Sequence, residues 1–316
     1  MKHSKEIDDI SDKIDDMLGE SVAYFSKLYE RHHRLADADL CREFLENIYT
    51  LTHEQKTECE GILTEAELRA ALFSLKNDTA PGPNGYSAEF FKFFWDELKD
   101  IFLSMVQEVQ TAGKAKQSFK KSVTILIPKR NKDQRFIENF RLVSLLYVTY
   151  KIYTKAIALR LNKVMKHCIG DDQTGFIKGR YIGENVRLML DIRDHCITND
   201  RKALLLACDC HKAFDSLNWE YIETVMKGFG FGPDMLNLVR SIYASTDGDS
   251  LPQSVVQLNG FLSQPYSLNR GVRQGCPLSC YLFLLCIEPL LAYIRSSNAI
   301  RGYQHWRLKL LLTQMI

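Results

Sequence analysis

The sequence predicts an α+β fold, in which strands and helices mix without a regular βα alternation. Three observations predict it. Apolar residues recur at helical spacing over long stretches, most clearly Ser87 to Gln110, Tyr147 to Lys166 and Ser279 to Ile294. The β-branched run Ser122 to Ile127 reads as a strand, and Ser254 to Leu258, then Asn259-Gly260, then Phe261 onward reads as a hairpin. The 316 residues, 46% hydrophobic and 25% charged, can bury a large core over two subdomains, which excludes a disordered or fibrous chain.

Taken in order, residues 1–60 read as polar amphipathic helices, with Ile7, Ile10, Ile14 and Leu18 at helical spacing. Thr64-Glu65-Ala66-Glu67 is a capping box that opens a helix to about Lys76. Ala80-Pro81-Gly82-Pro83-Asn84-Gly85 must then be a turn, because two prolines and two glycines break any hydrogen-bond ladder. Ser87 to Gln110 gives one or two helices, Ser122 to Ile127 a strand closed by Pro128, and Tyr147 to Lys166 a basic amphipathic helix. Ala203 to Ala207 is a short apolar strand that ends in Cys208-Asp209. Asn218 caps a helix that stops at the glycines 228, 230 and 232, and Pro233 to Ala244 forms another. Gly271 to Pro277 is a loop that enters the apolar helix Ser279 to Ile294. That helix holds Glu288 and Pro289 and reads as a buried core helix, so no membrane partner is expected.

Met1 to Glu20 is charged throughout and has no secretory pattern. The nine cysteines are odd in number and scattered, with no pair of CxxC units at zinc-ribbon spacing. Together these point to a reducing, intracellular site, nucleus or cytoplasm, and not to secretion. The net charge of +2 hides an asymmetry. Residues 1–113 hold 12 Lys+Arg against 23 Asp+Glu, whereas residues 114–166 hold 14 Lys+Arg against Asp133 and Glu138. A basic block of that density suggests a polyanion partner, although solvated helix faces explain it as well.

The sharpest chemical feature is Leu204-Leu205-Leu206-Ala207-Cys208-Asp209-Cys210-His211-Lys212-Ala213-Phe214-Asp215. An apolar strand ending in an aspartate can present oxygen to a hard cation such as Mg²⁺, though taken alone such a residue is more often a turn or helix cap. Lys129 and Arg141 could place two cations on one phosphate-rich ligand, or be surface basicity. In Arg273-Gln274-Gly275-Cys276-Pro277, Gly275 allows close backbone approach to a ligand, but a plain helix entry accounts for it too.

Six segments stand in order: Ala80 to Gly85, Ile127-Pro128-Lys129, Asn139-Phe140-Arg141-Leu142-Val143-Ser144-Leu145-Leu146, Asp172-Gln173-Thr174-Gly175-Phe176-Ile177-Lys178-Gly179-Arg180, Asp209 to Asp215, and Arg273 to Ser279. Their order and spacing resemble the reverse transcriptase of non-LTR (LINE-type) retrotransposons, over roughly Leu63 to Leu290. The resemblance implies the fingers and palm of a right-hand polymerase, with the palm incomplete and the thumb absent. It implies an RNA-directed DNA polymerase that adds deoxynucleotides to a primer with Mg²⁺ as cofactor. Its partners would be an RNA template, a DNA primer and deoxynucleoside triphosphates; nothing in the residues speaks to oligomeric state.

By resemblance, Asp209 is the first metal-binding aspartate, beside the backbone carbonyl of Cys210, and Phe214 is the steric gate against a ribose 2′-hydroxyl. Lys129 and Arg141 correspond to the fingers cations on the triphosphate, Gln274 and Gly275 to the loop that packs on the nucleotide, and Gln173, Lys178 and Arg180 to a segment on template and primer. In-line displacement at phosphorus by two metals needs more than one carboxylate.

The chain also departs from that pattern. No Tyr/Phe-Ala-Asp-Asp occurs before Ile316, and Asp215 is no substitute, because its counterpart is not usually a ligand. Asn84 stands where Asp is usual, Leu142-Val143 where Pro-Ile is usual, and Cys280 where Pro is frequent; the missing proline is expected to loosen a turn after Arg141. Leu312-Thr313-Gln314-Met315-Ile316 can be encoded by CTT ACG CAG ATG ATA, which reads TAC GCA GAT GAT, Tyr-Ala-Asp-Asp, from its third base. A frameshift explains this, and so does coincidence of coding. The expected organisation is therefore a helical linker region over 1–60, a fingers-like part over 61–200, a partial palm over 201–300 and an aberrant tail over 301–316, frameshifted on the first of those two readings. The chain alone is expected to be an inactive fragment of the enzyme. The alternative is a non-catalytic nucleic-acid-binding remnant of a decayed element.

Overall fold

The computed structural model describes residues 13–31, 43–202, 204, 208–243 and 251–298. Within them the fold is α+β. Helix α1 (Ile14–Leu28) comes first, followed by α2 (His53–Cys59), α3 (Glu65–Phe73), α4 (Ala88–Phe93), α5 (Trp95–Ala112) and the single turn α6 (Gln117–Lys120). Local chemistry sets these bounds. Thr52 with Gln55, and Thr64 with Glu67, form reciprocal capping boxes at the starts of α2 and α3. Gly113, in the left-handed region at φ 65°, ends α5. The Pro-Gly-Pro-Asn-Gly segment turns as its residues require, with the Gly85 amide donating to the Gly82 carbonyl.

Strands β1 (Lys121–Pro128) and β2 (Phe140–Leu146) form an antiparallel pair, from Ser122 opposite Leu146 to Pro128 opposite Phe140. The long helix α7 (Val148–Cys168) follows, then α8 (Gly183–Thr198), α9 (Trp219–Gly228) and α10 (Pro233–Tyr243). Strand β3 (Gln253–Leu258) lies parallel to β1, Lys121 opposite Gln253 through Ile125 opposite Gln257. It turns through Asn259 (φ 49°) and Gly260 (φ 88°) into β4 (Phe261–Leu262), the geometry an Asn-Gly hairpin needs. Strand β5 (Tyr266–Ser267) pairs with β3, and helix α11 (Ser279–Ser296) completes the described chain.

The main core is built around α7, whose Tyr150, Ile152, Tyr153, Ile157 and Leu161 are buried. The helix expected to be amphipathic is thus enclosed on most of its circumference, and its Arg160 is buried on Glu67 of α3. Helix α11 is long and apolar enough to cross a membrane, yet more than half of it is buried within the fold, with Leu282, Phe283, Leu284, Leu285 and Glu288 enclosed. A smaller cluster joins Tyr24, Phe25 and Tyr29 to Ile137, Leu142, Val256 and Tyr266, so α1 packs on the sheet.

Two larger elements were not foreseen, nor were the short α6 and β5. Phe140 to Leu146 runs as a continuous strand, with Leu142 opposite Leu126, so the turn expected after Arg141 does not exist and the missing proline loosens nothing there. Helix α8 also forms, although none of its residues is buried. The strand expected at Ala203 to Ala207 and the tail 301–316 lie outside the described residues.

Candidate functional site

Three chain segments meet along the β1–β2 pair, the loop from Gly271 against Ser144 and Lys120 and the segment from Asp209 nearer Lys129. The first runs from Asp209 to Asn218 and tightens into a turn, with Lys212 at φ 49° and the Ser216 amide donating to the Lys212 carbonyl at 3.0 Å. Asp209 and Cys210 are exposed. Among the described residues the Asp209 carboxylate makes no hydrogen bond or ion pair. Phe214 is half-buried and stacks on Phe283 of α11 at 5.3 Å between ring centres.

Asp215 points the other way. It is 3% exposed and accepts a hydrogen bond from the Tyr29 hydroxyl at 2.7 Å. Burial raises its pKa, against the opposing pull of the Tyr29 bond and of the nearby Lys212 and Arg270. The Lys212 ammonium bonds the Tyr24 hydroxyl and lies 4.4 Å from the centre of that ring. Burial lowers the Lys212 pKa, and the same burial, with Glu138 and Asp215 beside it, pushes Tyr24 up to about 12.

The second segment is the loop from Gly271 to Pro277. The Val272 amide donates to the Phe214 carbonyl at 2.8 Å, and the Gly271 amide to the Leu217 carbonyl at 2.7 Å. A Cβ on Gly271 (φ 85°) would stand 2.9 Å from the Asp215 carbonyl oxygen, so only glycine permits this closeness without a shift. The Ser144 amide of β2 donates to the Gln274 carbonyl at 3.0 Å, and a Cβ on Gly275 (φ 101°) would come within 3.0 Å of the Ser144 oxygen. Arg273 is buried; its guanidinium donates to the Lys120 carbonyl and lies 5.4 Å from the Tyr150 ring centre.

The third segment is the end of the β1–β2 pair. The Lys129 amide donates to the Asn139 carbonyl at 2.9 Å, and its ammonium to the Glu138 carbonyl at 3.0 Å. Arg141 is exposed opposite Ile127. The Lys129 charge is close enough to contribute to the lowered pKa of Lys212. Backbone hydrogen bonds thus link Ser144, three residues past Arg141 on β2, to the Gln274 loop and that loop to Phe214, with Asp209 at the head of the first segment and Lys129, just beyond β1, close to Lys212.

The segment Gln173 to Arg180 has a different character. Gln173 is 4% exposed, and its side-chain carbonyl accepts from the Gly175 amide at 3.0 Å. The Arg180 guanidinium donates to the carbonyls of Gly170, Gln173 and Ile169 and to the Asp171 carboxylate. Lys178 is exposed. Just before it, Arg295 of α11 bridges Asp172 at 2.8 Å and Glu288 at 2.7 Å, tying this loop to the last helix.

Sequence reasoning missed Tyr24, Tyr29 and Lys212. No spacing signal joins them to Asp209, because their partners lie 186 to 188 positions away. Among the described residues no three His, Cys, Asp or Glu side chains come together as a metal cluster.

The model of the family described as reverse transcriptase (RNA-dependent DNA polymerase) matches residues 127–307. The chain is 36% identical over 257 residues to a Xenopus laevis protein named transposon TX1 uncharacterized 149 kDa protein, covering 81% of this chain and 19% of that protein. It is 27% identical over 238 residues to the retrovirus-related Pol polyprotein from type-2 retrotransposable element R2DM of Drosophila melanogaster, covering 74% and 21%. A Nasonia vitripennis Pol polyprotein from type-1 retrotransposable element R2 is 26% identical over 216 residues, 67% of this chain and 20% of that protein. The chain therefore spans about a fifth of the length of the curated relatives it matches.

Proposed function

Because this chain belongs to the reverse transcriptase (RNA-dependent DNA polymerase) family, in the branch carried by non-LTR retrotransposable elements, we propose that the region joining Asp209, Phe214, Gln274 and Arg141 is its deoxynucleotide site. On this reading β1, β2 and the helices around α7 correspond to fingers, and the segments from Asp209 onward to part of a palm. One observation carries the reading. Two backbone bonds, Ser144 to Gln274 and Val272 to Phe214, tie the strand of Arg141 to the glycine loop and that loop to the Asp209 segment.

The chemistry follows from the side chains. Arg141 and Lys129 supply positive charge to a triphosphate, and a guanidinium fork suits paired phosphate oxygens. Gly275 carries no side chain and leaves its backbone open to a nucleotide. Phe214, held by Phe283, offers a rigid face on which a deoxyribose fits and a 2′-hydroxyl clashes. The Asp209 carboxylate and the Cys210 carbonyl are the hard oxygen donors that Mg²⁺ prefers. Two protein oxygens would leave the remaining positions to water and phosphate, the usual arrangement for this ion. Such an ion, when bound, would neutralise charge on the triphosphate. Asp215 cannot join it in this arrangement, because it is buried and bonded to Tyr29. RNA template and DNA primer are the proposed partners.

The test is binding of a fluorescent deoxynucleoside triphosphate to the 316-residue chain with and without Mg²⁺. We expect Mg²⁺ to tighten binding, Asp209→Asn to remove that gain, Arg141→Ala to weaken binding about tenfold, a loss of about 1.4 kcal/mol, and Phe214→Ala to admit ribonucleotides. Binding indifferent to both Mg²⁺ and Asp209→Asn sinks the assignment. With one exposed carboxylate among the described site residues, the chain tested alone is expected to bind nucleotide but to extend a primer poorly; robust Mg²⁺-dependent extension would refute this.

A further inference from the structure

Helix α1 lies outside the stretch that matches the family, which begins at residue 127. It nevertheless grips the candidate site directly. The Tyr29 hydroxyl donates to buried Asp215 at 2.7 Å, and the Tyr24 hydroxyl receives the Lys212 ammonium. Those two partners bracket Phe214 in the turn that follows Asp209. The hold continues on the neighbouring loop. The Arg270 guanidinium donates to the Leu28 carbonyl at 2.9 and 2.6 Å, and the Asn269 amide to the Tyr29 carbonyl at 3.1 Å. Phe25 and Tyr29 also stack on Tyr266, at 5.7 and 6.2 Å between ring centres.

Ordinary helix packing would spread apolar contact along a sheet face. Here polar bonds from one end of α1 fall on the residues either side of Phe214, and one of them is made by Lys212, whose backbone lies in the left-handed region, which is costly for a residue with a Cβ. A turn of that kind persists only where its surroundings over-determine it.

We propose that α1 is a positioning element of the site, with Tyr29 and Tyr24 as positioning residues that act through Asp215 and Lys212 to fix Phe214 and Asp209 relative to the nucleotide. The inference rests on the deoxynucleotide reading for Phe214 and Asp209. The helix thereby links the sequence upstream of the family match to the polymerase site, and undocking it would loosen the site without dismantling the core around α7.

Hydrogen–deuterium exchange on the whole chain tests this, comparing the unaltered protein with Tyr29→Phe, Tyr24→Phe and Asp215→Asn. In both tyrosine variants, amides from Lys212 to Leu217 and from Gly271 to Arg273 should exchange at least tenfold faster, while those of α7 keep their protection. Asp215→Asn keeps an acceptor for Tyr29 and should stay close to the unaltered chain. In parallel, the Mg²⁺-dependent affinity for a fluorescent deoxynucleoside triphosphate should fall several-fold in the tyrosine variants. Unchanged exchange in the turn overturns the proposal, and so does exchange accelerated uniformly across the chain, which would mean plain loss of stability. Faster turn exchange with unchanged affinity also overturns it. If the unaltered chain shows no Mg²⁺-dependent binding at all, the nucleotide reading fails, and the exchange data still report separately whether α1 holds the turn.

Discussion

Asp215 carries a charge that its surroundings disfavour on balance. Burial raises its pKa more than Tyr29, Lys212 and Arg270 lower it. A carboxyl whose folded pKa lies above its unfolded value adds stability at low pH, and that contribution is lost as pH rises through the folded value. Asp215→Asn removes the charge and keeps an oxygen for the Tyr29 hydroxyl. Its melting temperature should therefore meet that of the unaltered chain at about pH 4 and exceed it at about pH 7. A melting point lower by several degrees at neutral pH would show that the ion partners outweigh burial. None of this was legible in the residues. The sequence places two carboxylates six positions apart and cannot say which faces water, since that depends on Tyr29 and on the turn at Lys212. The resemblance sets Asp215 aside as a metal ligand, and in the structure that carboxyl is buried on Tyr29. Likewise, the resemblance assigns Gln173 and Arg180 to a segment on template and primer, and in the structure one caps its own loop while the other gathers five acceptors, neither of which the residues announce.

Between elements, one ion pair carries much of the connection of α3 to α7. Arg160 of α7 forks onto both Glu67 oxygens at 2.5 and 2.7 Å and also donates to the carbonyls of Glu60, Gly61 and Ile62. Burial opposes the charge on Glu67, but the guanidinium and the Thr64 amide overcome it and hold the carboxyl at about 2. That stability is present above the ordinary carboxylate range and is lost as pH falls towards about 2. Arg160→Met should cost about 3–5 kcal/mol, the usual result of leaving one partner of a buried pair alone, read as a shift in the urea midpoint. A change under about 1 kcal/mol would show that the carbonyls find water instead. At this scale the sequence was most informative. The Thr64–Glu67 capping box, the Asn-Gly hairpin, the strand read at Ser122 to Ile127 and the helices of the core announce themselves through local chemistry. Strand β2 did not, because Phe140 to Leu146 lacks strict alternation and its partner β1 is what makes it a strand. Helix α8 did not either, because its apolar residues fail to make one buried stripe.

Across the molecule, charge and fold are segregated. The acidic residues 1–113 supply α1 to α5, while the basic block 114–166 supplies β1, β2 and α7. Lys121, Arg130, Lys132, Arg141, Lys163 and Lys166 are exposed from that block, and Lys178 beyond it. If four to six of these meet phosphates, affinity for a single-stranded oligonucleotide should fall with a log–log salt slope of about −3 to −4. A slope near zero would remove the nucleic-acid reading of the block, for polymerase and binding remnant alike. The architecture was legible only as α+β. Beyond the β3–β4 hairpin, which strand neighbours which was not, since that is set by contacts between distant residues.

The parallel pairing of β1 with β3 has a consequence for synthesis on the ribosome. Lys121 meets Gln253, so β1 emerges 132 residues before its second neighbour. At about 5–20 residues per second, that interval is on the order of ten seconds. During it β1 is paired on the β2 side alone, and its other edge is open to any passing strand. The nascent chain needs that edge shielded until Gln253 arrives, so trapping by a holdase should fall off once translation passes β3.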